Sequence, residues 1–145
     1  MPADTAASFT EPTDGRALWA SRALSILRIV AAFLFIAHGT QKLWGVPGDR
    51  TPIDDLFTQR GLAGILEAGG GLLLCLGFQT RVVAFLLSGQ MAVAYFQSHA
   101  PRGFWPLLNG GELAALYAFL FLYLSIAGGG AWSVDAWRQR GRRPA

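Results

Sequence analysis

Four apolar runs dominate the chain, at residues 22–43, 61–78, 82–99 and 110–128, with polar or turn-rich segments between them. Each is near the ~20 residues that a helix needs to cross the hydrocarbon of a bilayer. Gln79-Thr80-Arg81 leaves only a tight connection between the second and third runs, which makes them antiparallel neighbours. Pro101, Gly103 and Pro106 mark a non-helical loop before the fourth run, and Pro47, Gly48 and Pro52 lie in the longest connection, between the first and second. The pattern predicts an all-α fold, a four-transmembrane-helix antiparallel bundle. Residues 1–20 read as a flexible polar tail, 21–136 as the membrane domain and 137–145 as a basic tail.

Composition sharpens this picture. Hydrophobic residues make up 52% of the 145 and charged residues 14%, against about 25% charged in a soluble domain. A soluble chain with a greasy helical core is the alternative, but four such runs leave too little polar surface to cover them. Glycines inside the runs let helices in lipid approach closely. A cleaved signal peptide fits the first run poorly, because Arg28 interrupts the apolar core and no A-x-A site follows. The net charge of +3 gathers at the C-terminus, in Arg138, Arg140, Arg142 and Arg143, where it suits topology and anionic lipid better than nucleic acid. Cys75 is the single cysteine, which excludes a disulfide within one chain.

An even number of spans puts the N-tail, the Thr80 turn and the C-tail on one side. Arg16, Arg22, Arg81 and the four C-terminal arginines lie there, with Arg28 able to snorkel toward it; Lys42, Arg50, Arg60 and Arg102 lie opposite. The bias of eight to four predicts that both termini are cytoplasmic, in a bacterial inner membrane. Trp19, Trp132 and Trp137 would mark the inner interface, Trp44 and Trp105 the outer one.

Polar residues inside the runs converge in the outer half. His38, Gln41 and Lys42 end the first, Tyr95 and His99 end the third, and Asn109 and Glu112 begin the fourth. Glu67 would lie about 9 Å deep and His38 about 7.5 Å deep, at 1.5 Å rise per residue. A carboxylate at that depth needs a partner, a proton or a wet cavity, and Lys42 with Glu67 or Glu112 would meet part of the need. Three readings fit: a polar knot that fixes helix register, a binding or redox pocket, or an ion path. The last lacks a polar chain toward the inner side apart from a distant Gln90. No metal, flavin or haem motif is present. His38 and His99 are the only imidazoles, and a carboxylate-bridged di-iron bundle needs more acids than Glu67 and Glu112.

These same residues carry a resemblance. His38-Gly39-Thr40-Gln41-Lys42-Leu43-Trp44-Gly45 resembles the signature that closes the first span of DoxX-type membrane proteins. Glu67-Ala68-Gly69-Gly70-Gly71-Leu72 with Gly77-Phe78-Gln79-Thr80-Arg81 resembles the second span and turn of that family. Met91 to Phe96, His99, Gly103-Phe104-Trp105-Pro106 and Asn109-Gly110-Gly111-Glu112 resemble its third-span end and outer loop. Gly128 to Asp135 resembles its usual ending, with Gly129 where proline is common. The resemblance implies kinship with the membrane subunits of a thiosulfate:quinone oxidoreductase, and hence an integral membrane subunit of a redox system. In that reading quinone or a redox partner binds at the outer face, beside membrane lipid and other subunits of an oxidoreductase complex, and an oligomer is compatible. His38 and Glu67 would exchange protons as the catalytic pair, with Gln41, Lys42, Tyr95, His99, Trp105, Asn109 and Glu112 binding ligand. A non-catalytic scaffold or lipid-binding module with a structural polar cluster is the alternative.

Overall fold

A computed structural model of the chain describes residues 15–141, and among them it is all-helical, with no strand. Helix α1 spans Gly15–Trp44; α2 spans Gln59–Ile65 and runs through a π-helical turn at Leu66–Gly70 into α3, Gly71–Leu76. Helix α4 is Thr80–Ser98, followed by a 3-10 turn at Ala100–Arg102 and a short helix α5 at Pro106–Asn109. Helix α6 is Glu112–Ala127 and α7 is Val134–Arg140. Among the described residues, α1 is the one helix long and apolar enough to cross a membrane by length and composition; α6 is apolar but shorter.

Both tail boundaries differ from the sequence reading. Residues 15–20, assigned to the tail, belong to α1, because Ala17-Leu18-Trp19-Ala20 continues the helix-forming pattern upstream of Arg22. Residues 137–140, assigned to the basic tail, complete α7, whose first turn is capped by the Ser133 hydroxyl accepting from the Ala136 N–H at 3.1 Å. Residues 1–14 of the expected N-tail, and Arg142 and Arg143 of the C-tail, lie outside the described residues.

Helix α1 packs along α2, the π turn and α3, while α4 packs along α6. Small residues allow the first pairing: a Cβ on Gly39 would sit 2.9 Å from Ala68 Cα, and one on Gly71 would sit 2.8 Å from Ile36 Cγ1. Aromatic contacts join the two pairs, with Phe35 of α1 4.9 Å from the Phe121 ring and 5.2 Å from the Tyr117 ring, both on α6. Ala32, Leu74, Ala84, Leu87 and Leu124 complete the core between them.

The C-terminal segment folds back over one end of these packed helices. Arg28, which its place in the run would let snorkel out, is instead fully buried. Its Nε donates to Gly129 O at 2.8 Å, Nη2 to Trp132 O at 2.6 Å, and Nη1 to Cys75 O at 2.5 Å and to Leu74 O. Leu74 and Cys75 belong to the last turn of α3, whose carbonyls lack helical partners and carry the negative end of the helix dipole. The guanidinium therefore finds its compensation inside the protein. Gly77, at φ 69°, closes α3 with its own N–H on Leu74 O at 3.0 Å and the Phe78 N–H on Leu73 O at 3.0 Å. Asp135 then accepts from the Gln79 and Thr80 N–H groups at 2.9 and 2.8 Å, capping α4 from the far end of the chain. Burial pushes the Asp135 carboxyl up, but these hydrogen bonds and the nearby Arg138 outweigh it and hold the group below the usual carboxylate range.

Candidate functional site

At the opposite end, a cavity of 660 Å³ opens among α1, the π turn, α4 and α6. Glu67 stands at its base because the π turn inserts an extra residue into the helix there, as such turns often do at working sites. The residue is 2% exposed, and its Oε1 pairs with Lys42 Nζ. Gln90 of α4 donates from Nε2 to the same Oε1 at 3.2 Å and to Ala63 O at 3.3 Å. Glu67 Oε2 is buried and has no hydrogen-bond partner among the described residues. An ion pair with one oxygen satisfied and the other bare is an unusual arrangement for a buried carboxylate, which normally fills both.

His38 and Gln41 line the cavity from α1, one turn apart on the face that carries Lys42. The Gln41 amide is held by donation to Pro47 O at 2.9 Å. Arg50 and Arg60, from the long connection and the start of α2, add two guanidiniums to the polar wall. Phe35, Met91, Leu113 and Tyr117 form an apolar wall. His99 lines the cavity at the end of α4, with Nδ1 3.2 Å from Asn109 O and 2.9 Å from Arg102 Nη2.

The other proposed ligand-binding residues lie elsewhere. Asn109 is buried in its own loop, donating to Gly103 O at 2.8 Å and accepting from the Gly111 N–H at 2.8 Å. It positions the loop and does not line the cavity. Glu112 is exposed, and Lys42 pairs with Glu67. Helix α6 starts at Glu112, two residues later than the run suggested, so this side chain sits at the rim of the first turn. Trp105 is 64% exposed and packs edge-on against Phe104 at 5.2 Å. Tyr95 stacks on His99 at 6.3 Å and faces a separate apolar hollow with Phe96, Ser88 and Phe119. Gln90, read as distant, belongs to the site instead: α4 packs close enough for its amide to reach Glu67. Among the described residues, no group of three or more His, Cys, Asp or Glu side chains gathers as a metal site would need.

The family model for DoxX matches residues 23–100, which include the signature from His38 to Lys42, Glu67, Gln90 and His99. An uncharacterized protein of Haemophilus influenzae is 46% identical over 119 residues, covering 77% of this chain and 87% of the relative. The inner membrane protein YqjF of Escherichia coli is 31% identical over 115 residues, covering 76% of this chain and 87% of the relative. No solved structure matches the chain. The family match and the length of the shared segments place every wall of the cavity but α6 within the matched region, and the chain belongs to the DoxX family of membrane proteins.

Proposed function

We propose that the chain is a four-span antiparallel bundle of the bacterial cytoplasmic membrane with both termini inside. In this reading it serves a redox system as an integral subunit that binds a quinone, or a redox partner, at the outer cavity. Large apolar side chains project outward from all four helical segments, among them Phe33 at 67% exposure, Leu72 at 54%, Phe85 at 63% and Phe119 at 74%. Water tolerates such a continuous apolar surface poorly, and lipid covers it. The bias of Lys and Arg toward the end with Arg81 and Arg138 supports the cytoplasmic termini. The name of the Escherichia coli relative supports the inner membrane.

The observation that carries the ligand reading is the division of the cavity into two walls. One bears Lys42, His38, Arg50 and Arg60, all able to donate hydrogen bonds, and the other bears Phe35, Met91 and Tyr117. A quinone, flat and apolar with carbonyl oxygens at its edge, matches that division. When bound, it supplies two-electron chemistry that no side chain here can supply. His38 at the mouth presents an imidazole to the ligand edge, and Glu67 holds Lys42 in place at the base. Other subunits of an oxidoreductase complex would bring the remaining electron carriers. Extraction of the purified protein with organic solvent tests the reading: near-stoichiometric quinone is the expected result.

One observation favours a second reading. The Lys42–Glu67–Gln90 network ties α1, the π turn and α4 together, as a purely structural knot in a scaffold or lipid-binding module would. Extracts holding phospholipid alone would favour that reading.

A further inference from the structure

We propose that the cavity prefers the reduced, hydroxyl-bearing form of its ligand, a hydroquinone, over the oxidised carbonyl form. The inference rests on the reading of this cavity as a quinone site and names the redox state that the site selects. Its basis is an imbalance at the base. Glu67 Oε1 is occupied by Lys42 and Gln90, while Oε2 of the same buried carboxylate has no partner among the described residues. The carbonyl oxygen of Gln90, behind Glu67 and not itself lining the cavity, is also buried without a partner among the described residues. Both bare atoms are acceptors. Held by Lys42, the Glu67 carboxylate offers only lone pairs.

A bare buried acceptor raises the free energy of the protein until a donor reaches it. A quinone brings oxygens that accept, so beside Oε2 it would set two acceptors against each other. A hydroquinone brings an O–H at the same place and donates it to a charged acceptor, the stronger class of hydrogen bond. The opposite oxygen of either form meets Lys42, His38, Arg50 or Arg60, which donate to carbonyl and hydroxyl oxygens alike. Selectivity therefore arises at Glu67 and not at the cationic wall.

Binding of decylubiquinol and decylubiquinone to the purified full chain in detergent, measured anaerobically, tests this, with the O-methylated hydroquinone as a third ligand. The expected result is that decylubiquinol binds about tenfold tighter than decylubiquinone. The methyl ether, which has no donor, should bind no better than the quinone. In Lys42→Met/Glu67→Gln, which removes the pair together and so leaves no lone buried charge, the preference should fall to about twofold or less. Equal binding of all three ligands to the native chain would overturn the inference and leave the quinone reading standing. Binding of none of them would overturn both.

Discussion

Lys42 on α1 pairs with one oxygen of Glu67 in the π turn and leaves the other without a partner among the described residues. The pair joins α1 to its neighbour at the level where the cavity opens, so one contact serves both packing and the site. Breaking it from one side strands a charge in a poorly solvated place. Lys42→Met should lower thermal stability in detergent by an amount approaching the roughly 3–5 kcal/mol of a fully buried pair. It should fall short of that, because the Lys42 side chain keeps 29% exposure. Adding Glu67→Gln should recover part of the loss, and adding Glu112→Gln should recover none. Recovery by Glu112→Gln alone would contradict the pairing.

Much of this was legible in the sequence, because a lysine and a carboxylate at membrane depth must find each other. The same logic missed what has no charge signature. Gln90 is an uncharged amide, 23 positions from Glu67, and only the approach of α4 brings it in. Arg28 was misread because its partners are backbone carbonyls, which every residue has and no sequence pattern marks. The π turn is an extra residue in a helix, invisible to apolar periodicity. Asn109 was read as a cavity residue from its place at the start of the fourth run, but its amide is spent within the loop on Gly103 and Gly111.

The Arg28 lock gives a prediction at the other end. Arg28→Met would take the guanidinium away from the carbonyls of Cys75, Gly129 and Trp132, leaving Leu74 O only its Gly77 N–H, and should free the segment from Gly128 to Asp135. Hydrogen exchange across residues 128–135 should rise well above that of residues 38–42. Unchanged protection in both segments would show that the guanidinium does not hold the C-terminal segment down.

Asp135 supplies a pH dependence. Its folded carboxyl lies below the unfolded value, so it contributes stability above about pH 4 that is lost as pH falls through the folded value. At neutral pH, Asp135→Asn keeps one acceptor oxygen but loses the charge at the start of α4, and should cost about 0.3–1 kcal/mol. Melting curves of the two proteins should converge as pH drops below about 4. A gap that persists into acid would mean that the carboxylate charge is not what caps α4.

Close packing of α1 on the π turn distinguishes two glycines. A Cβ at Gly39 would press on Ala68 backbone at 2.9 Å, whereas one at Gly69 would meet nothing within 4 Å. Gly39→Ala should lose about 1–3 kcal/mol through overpacking. Gly69→Ala should be neutral or slightly stabilising, since alanine is the better helix former. The folded fraction after solubilisation, measured for both variants, checks the pair.

The central claim is that the cavity beside His38 opens to the outside of the membrane and takes a quinone. Labelling of His38→Cys, in a Cys75→Ser background, with a membrane-impermeant maleimide in intact cells tests it most directly. The account predicts labelling from outside, slowed several-fold by added decylubiquinone. Labelling only after the cells are made permeable, or at a rate that decylubiquinone leaves unchanged, would contradict it.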